Sequence, residues 1–285
     1  MENIISSICK HAGVNYQHHK AVQGGDISKS FKIETGEGLF FLKINDASAF
    51  RGMFQKEADG LKAISETGAI TTPLVKGTGE FNGYQWLMLE WLEEGDSKPA
   101  LWEVFANNLA ALHANTHKHY GWHYDNYIGL LIQQNPWYEN WDEFYMNNRV
   151  MPLVKKLFNA SAFSVKELEA TESLFKRIAN VYPHESPALL HGDLWCGNFM
   201  ITKNEKPVLY DPAVYYGHRE MDIAMTKLFG GFDNLFYNHY NHKFPLEKDW
   251  EKRLSLSQLY PLLVHAVLFG GNYISQCSRI IKSWQ

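Results

Sequence analysis

The chain has 285 residues, enough for two domains or for one domain in two lobes. Its 27 Lys and Arg against 31 Asp and Glu leave a formal charge of −4, and 45% of residues are apolar. These values exclude a disordered tail protein and a polybasic nucleic-acid binder. Cys9, Cys196 and Cys277 are too few and too widely spaced for a disulfide or zinc framework. Residues 1–10 lack the basic region of a secretory signal, and the longest apolar run, 259–269, is interrupted by Pro261 and His265. The expectation is a cytoplasmic protein with no membrane partner. Aromatic residues reach 14%, and composition alone does not say whether they fill a core or line a site.

In chain order, a short opening helix is followed by segments 31–34, 39–44 and 84–90, which read as strands. Gly24-Gly25, Gly36-Glu37-Gly38 and the glycine-rich stretch 77–83 bound them. Over 50–64 the apolar residues Phe50, Met53, Phe54, Leu61 and Ile64 recur at helical spacing, with Asp46 or Ser48 as N-cap and Gly68 as the stop. From residue 91 the pattern becomes helical, over 101–115, around 137–150, then 165–181, 221–229 and 254–281, the last with Gly270-Gly271 inside it. Three short apolar segments, 188–190, 199–202 and 208–210, read as small strands within this part. The change near residue 91 predicts an α+β organisation, with a strand-rich lobe over 1–90 and a mainly helical lobe over 91–285. A cleft between two such lobes is a favoured ligand site.

The sharpest chemical signal is His191-Gly192-Asp193-Leu194-Trp195-Cys196-Gly197-Asn198, followed by a strand, a turn and Asp211-Pro212. Phosphoryl transfer needs a carboxylate to orient the attacking hydroxyl and take its proton. It also needs hard oxygen ligands for a magnesium ion that bridges the phosphates. Asp193 suits the first task, Asn198 and Asp211 the second. The Asp-to-Asn interval is that of the protein-kinase catalytic loop, and Asp211 stands where a second metal-binding Asp would follow a hairpin. Each of these residue types favours turns in any protein, so it is their order together that points to a site.

The strand-rich part tests this reading independently. A kinase-like site needs a strand lysine for the phosphates and a helical glutamate to hold that lysine. Lys43 lies in the strand 39–44, on the face shared by Leu39 and Phe41. Glu57 falls inside the apolar stripe of the helix 50–64, where a buried unpaired carboxylate would cost several kcal/mol. Lys43 is its economical partner. Gly24 and Gly25 offer a turn whose N–H groups could meet phosphate oxygens, and Glu90-Trp91-Leu92 offers backbone groups to an adenine edge. The histidines 113, 117, 119 and 123 lack a metal-ligand spacing and read as packing or exposed side chains. Cys196 has no identifiable base and orienter for nucleophilic work.

Together these motifs resemble the fructosamine kinase (ketosamine-3-kinase) family, within the aminoglycoside-phosphotransferase-like branch of the protein-kinase fold. The likeness runs almost the whole chain: GGDIS at 24–28, FFLK at 40–43, MFQKEADGLKAISETGAI at 53–70, NYIG at 126–129, HGDLWCGN, and above all DPAVYYGHREMDIAMTKLFGGF at 211–232. Cys196 departs from the Ser more usual at its position, which leaves Asp193 and Asn198 in place. The resemblance implies a bilobal kinase fold and transfer of phosphate from ATP, with Mg2+, to the sugar 3-hydroxyl of a ketosamine, free or protein-linked. Loss of that phosphate would free the amine, a deglycation repair. It also implies Asp193 as base, Asn198 and Asp211 as magnesium ligands, Lys43 on the ATP phosphates with Glu57 behind it, and Asp222 as support for the catalytic loop. Trp195, beside the base, is a candidate platform for the sugar-amine, with core packing as its other reading. Two rivals share these residues. One is a kinase for an aminoglycoside or another amino alcohol, against which the 211–232 segment argues. The other is a nucleotide-binding pseudokinase, against which Lys43, Glu57, Asp193, Asn198 and Asp211 argue.

Overall fold

The computed structural model describes residues 1–22 and 28–284; Gly24 and Gly25, with Asp26 and Ile27, lie outside the described residues. The chain divides into two compact units, one of residues 1–97 with 200–211 and one of 98–199 with 212–285.

In the first unit, helix α1 (Glu2–His11) precedes strands β1 (Tyr16–Val22), β2 (Lys29–Thr35) and β3 (Gly38–Asp46). Helix α2 (Met53–Glu66) and strands β4 (Val75–Phe81) and β5 (Tyr84–Glu90) follow. The strands form an antiparallel sheet in the order β1-β2-β3-β5-β4. Side chains alternate across a strand, and Ile33, Leu42, Ile44, Trp86 and Met88 pack with Ile5, Ile8 and Cys9 of α1 into one core. The alternate positions, Lys43 and Leu87 among them, are directly opposed across β3 and β5 and therefore face the other side.

Two sequence expectations are corrected in this unit. The glycine-rich stretch 77–83, expected to bound strands, instead lies largely in β4. Its glycines make room for a side chain, since a Cβ on Gly79 would sit 2.9 Å from the indole of Trp86 on the paired strand. Helix α2 starts at Met53 after Gly52, whose φ is +63°, rather than at Phe50. Asp46 accepts instead from Ser48 N–H at 2.8 Å and Ala49 N–H at 2.9 Å, closing a turn upstream of the helix. Gly68 does follow the helix end, with φ +65°. Residues 200–211 join this unit through a parallel bridge of Val208 with Thr71 and an antiparallel bridge of Thr202 with Glu94.

The second unit opens with α3 (Pro99–His113) and the hairpin of β6 (Asn126–Ile128) and β7 (Leu131–Gln133). The expected helix around 137–150 is α4 (Trp141–Tyr145), which continues through a π-helical turn, Met146–Val150, into α5 (Met151–Asn159). Helix α6 (Val165–Arg177) begins with a capping box, Ser164 and Glu167 each accepting from the other's end of the turn. After β8 (Ala188–Leu190) the chain passes through β9 (Phe199–Ile201) and β10 (Pro207–Leu209), largely in the segment 200–211 that belongs to the first unit, and re-enters the second with β11 (Tyr215–Gly217) and α7 (Glu220–Met225). Helices α8 (Asn234–Lys243), α9 (Trp250–Phe269) and α10 (Asn272–Ser283) complete the chain, Gly270-Gly271 dividing the last two. The ribbon of β8 and β11 aligns Leu190 with Tyr215 and feeds directly into His191. No helix among the described residues is long and apolar enough to cross a membrane.

Candidate active site

The residues singled out from sequence gather into two groups, one in each unit. In the first unit, Lys43 projects from β3, and Glu57 occupies α2 among the buried Met53, Phe54, Leu61 and Ile64. Lys43 Nζ donates to Glu57 Oε1 at 2.9 Å and to Asp211 Oδ1 at 2.5 Å. The Lys43 side chain is 9% exposed and that of Glu57 13%, so neither charge is well hydrated. Burial alone would lower the ammonium pKa, but the carboxylates of Asp211 and Glu57 more than reverse this and hold Lys43 firmly protonated. Burial pushes Glu57 up to about 7 against the pull of Lys43, and the nearby Asp211 adds to the rise. Asp211 has φ +56°, a left-handed conformation that Asp tolerates better than most residues.

The second group surrounds the loop leaving β8. The buried Asp222 carboxylate, near the start of α7, accepts from two consecutive backbone groups, His191 N–H at 2.7 Å and Gly192 N–H at 2.9 Å. It also meets His113 Nε2 at 3.2 Å, while His113 Nδ1 lies 2.7 Å from the Tyr240 hydroxyl. A carboxylate only accepts, so His113 donates through Nε2. Gly192 has φ +83°, and a Cβ there would overlap the Ala213 carbonyl oxygen, which only glycine avoids. Asp193 N–H then reaches His191 Nδ1 at 3.3 Å. From the far end of the loop, Asn198 Nδ2 donates to the Asp193 carbonyl at 2.8 Å and to its carboxylate Oδ2 at 3.1 Å. A turn of six residues thus holds one carboxylate in a set direction.

The remaining candidates are more dispersed. Glu90 N–H is committed to Leu74 O at 2.8 Å and Trp91 N–H to Leu39 O at 3.2 Å. The Trp91 ring has Lys32 Nζ 4.8 Å from its centroid and Phe41 beside it, and Leu92 is half-buried. Trp195 is half-buried and its ring covers Gly197, where a Cβ would overlap it. Sequence reasoning missed the companions of Trp195. Phe229 lies edge-on to it at 5.9 Å, and His265 and Tyr273 continue the group at 4.6 and 6.4 Å from Phe229. The one sequence signal for these residues was their aromatic character, spread over 78 positions and invisible to local periodicity. The histidine patch separates. His113 belongs to the Asp222 group, whereas His117 is stacked between Trp137 and Tyr216 at 4.4 and 4.9 Å. No group of three His, Cys, Asp or Glu among the described residues has a metal-binding arrangement.

Each unit, taken by itself, offers an oxygen donor of the kind a hard cation accepts. Asn198 commits its amide nitrogen to Asp193 and so retains a carbonyl oxygen as a donor, and Asp211 has a second carboxylate oxygen besides the one bound to Lys43. Amide and carboxylate oxygens are both of the hard type that Mg2+ prefers, phosphates and water commonly supplying its other ligands.

The chain matches the fructosamine kinase family over residues 1–284. A "probable ketoamine kinase" of Synechocystis sp. is 38% identical over 267 residues, covering 93% of this chain and 90% of the relative. The chloroplastic protein-ribulosamine 3-kinase of Arabidopsis thaliana is 37% identical over 270 residues, covering 93% and 81%. The crystal structure of a candidate fructosamine-3-kinase from Thermobifida fusca superposes with a TM-score of 0.89 at 30% identity, covering 100% of this chain and 99% of the other. Aminoglycoside phosphotransferase APH(4)-Ia, at 16% identity and a TM-score of 0.63 over 97% of both chains, shares the fold.

Proposed function

The chain belongs to the fructosamine kinase family, and from that premise we propose that it transfers the γ-phosphoryl group of ATP to the 3-hydroxyl of fructosamines and ribulosamines, free or protein-linked. It is a phosphotransferase with an alcohol acceptor. One contact carries the assignment of the base: Asn198 grips both the main chain and the carboxylate of Asp193, so the carboxylate is aimed before substrate arrives.

In the proposed reaction Asp193 accepts the proton of the sugar 3-hydroxyl as that oxygen attacks the γ-phosphorus in line. The bond between phosphorus and the β,γ-bridging oxygen breaks, and ADP departs with the electron pair. Lys43, kept charged by its two carboxylates, balances phosphate charge, and Glu57 holds it to α2. Asn198 and Asp211 would hold Mg2+, which when bound neutralises the β- and γ-phosphate oxygens. Gly24 and Gly25 are assigned to the phosphates from their place in the sequence, and the remaining backbone groups of Glu90, Trp91 and Leu92 to the adenine edge. Asp222 supports the loop by fixing two amides. Trp195, with Phe229 edge-on to it and His265 and Tyr273 beyond Phe229, gives the sugar-amine an aromatic face two residues along the chain from the base. The 3-phosphate so formed is a better leaving group than the hydroxyl it replaces; its elimination, with loss of a proton from carbon 1, leaves an imine between carbon 1 and the amine, and water hydrolyses that C=N bond to free the amine. Deglycation is therefore the proposed role, in the cytoplasm.

Incubation with Mg-ATP and a panel of fructosamines, ribulosamines and aminoglycosides, with the product assigned by NMR, tests this reading. Phosphate on carbon 3 of a ketosamine is the expected result. Turnover of aminoglycosides alone, or phosphate at another position, would overturn it.

A further inference from the structure

Behind the segment that follows Asp211 lies a buried polar relay with no direct part in the chemistry above. Arg149, fully buried on the π-helical turn, donates from Nη2 to Asn135 Oδ1 at 2.6 Å and from Nη1 to Gln134 O at 2.6 Å. Its guanidinium also lies 4.2 Å from the ring centroid of Tyr215 and 4.5 Å from that of Phe144. These partners are neutral oxygens and ring faces. A buried cation served in this way is less favourable than an apolar residue of the same size. Stability alone is a poor account of its presence.

The hydrogen bonds have a direction that does account for it. Arginine only donates, so Asn135 must turn its oxygen to Arg149 and its nitrogen away. That nitrogen donates to Asn126 Oδ1 at 2.9 Å, which turns Asn126 Nδ2 onto the Val214 carbonyl at 2.8 Å. Gln133 is oriented from both ends. Its Oε1 receives the Tyr260 hydroxyl at 2.9 Å, and its Nε2 donates to Asn126 Oδ1 and to the Ala213 carbonyl, both at 2.9 Å. Asn126, Gln133 and Asn135 are each at most 4% exposed, so no bulk water competes for these groups. Ala213 in turn gives its N–H to the His191 carbonyl at 2.9 Å, and its carbonyl is the oxygen that packs where a Gly192 Cβ would be. The Ala213 peptide is therefore held between the relay and the residues immediately before Asp193.

We propose that Gln133 is a positioning residue for phosphoryl transfer: it fixes the Ala213 carbonyl directly and the Val214 carbonyl through Asn126, and through Ala213 it sets the register of the His191–Asp193 turn against the chain leaving Asp211. Arg149 sets the orientation of the amides and Tyr260 locks Gln133 in place. The relay acts on geometry, not on ligand contacts. Its loss therefore lowers turnover while leaving substrate affinities nearly unchanged, because a displacement of about 1 Å at reacting groups costs about 10²-fold in rate.

The inference rests on Asp193 being the base, so the test carries Asp193→Ala beside the relay variants. In Gln133→Met, which keeps the size and removes both donors, kcat per folded molecule should fall about 10²-fold, with KM for ATP and for ketosamine within about threefold of wild type. Hydrogen exchange at the Ala213 amide should speed up about tenfold. Tyr260→Phe, which removes one hydroxyl and keeps the fold, should move kcat and exchange in the same direction by about fivefold. Wild-type kcat per folded molecule in both variants, whatever their melting temperatures, would overturn the inference, and Tyr260→Phe decides if Gln133→Met does not fold. An active Asp193→Ala would overturn the functional reading itself; an inactive one beside fully active relay variants would overturn only the positioning role.

Discussion

The two groups of charged residues use opposite means to place a carboxylate. In the first unit Asp211 is held by another charge: the buried Lys43 lies between the buried Glu57 and the partly exposed Asp211, two acids sharing one cation. In the second unit Asp222 is held chiefly by two consecutive backbone N–H groups, with His113 as a third partner. Ion pairs are weakly directional and their strength depends on the protonation of every member. Amide donors are fixed by the chain and do not titrate, so they set direction. The difference teaches a division of labour. The Lys43 group balances charge, whereas the Asp222 group fixes the backbone of the turn from which Asp193 projects.

The severest way to break the contrast is Asp222→Ala. It strands two amide donors next to a buried histidine, and charge-assisted hydrogen bonds contribute about 1.5 to 3 kcal/mol each. We expect urea unfolding to report a loss of about 4 kcal/mol; a loss below about 1 kcal/mol would mean that the turn is fixed by other contacts. Lys43→Met should act on catalysis more than on folding. We expect kcat/KM for ATP to fall about 10²-fold, with a smaller stability change than in Asp222→Ala, because Glu57 is already pushed toward its protonated form by burial. An unchanged ATP-dependent rate would remove Lys43 from the phosphate site.

The smallest effect sharpens the comparison through pH. His218, fully buried in the second unit, is held down to about 4 from its ordinary 6.5, chiefly by burial and against the pull of Glu185. The unfolded chain takes up a proton at this residue near pH 6.5 that the folded protein refuses until about pH 4. Stability from this group is thus present above pH 6.5 and declines as the pH falls through that window. The expected loss between pH 7.5 and 5.5 is about 1 kcal/mol. Urea titrations of wild type and His218→Gln at both pH values measure it, and an equal pH dependence in the two proteins would contradict the assignment.

What was legible in the sequence follows from range. Strand β5 is bounded at 84–90 in both sequence and structure because alternation and turn residues are local signals. Glu57 was legible because a charge inside an apolar helical stripe demands a partner, and Lys43 is that partner in the structure. The glycines of β4 misled because the same residue type breaks a strand or admits a neighbouring indole, and only the pairing with Trp86 decides which. Helix α8, NLFYNHYNHK, was missed because its polar and aromatic residues give a weak amphipathic pattern. The relay of Asn126, Gln133, Asn135, Arg149 and Tyr260 was equally hidden. Its contacts depend on directional hydrogen bonds across as many as 127 positions, and no periodicity reports those. The Asp222 clamp was reached through family likeness rather than from helix position, which explains any acid near the start of a helix.

The central claim is that the fixed turn exists to present Asp193 as the base for phosphoryl transfer to a ketosamine. The most direct test is the turnover number of Asp193→Ala with Mg-ATP and a fructosamine, normalised to folded protein. The account predicts a fall on the order of 10² to 10⁴ with ATP affinity retained. Phosphorylation of the ketosamine at close to the wild-type rate would contradict it.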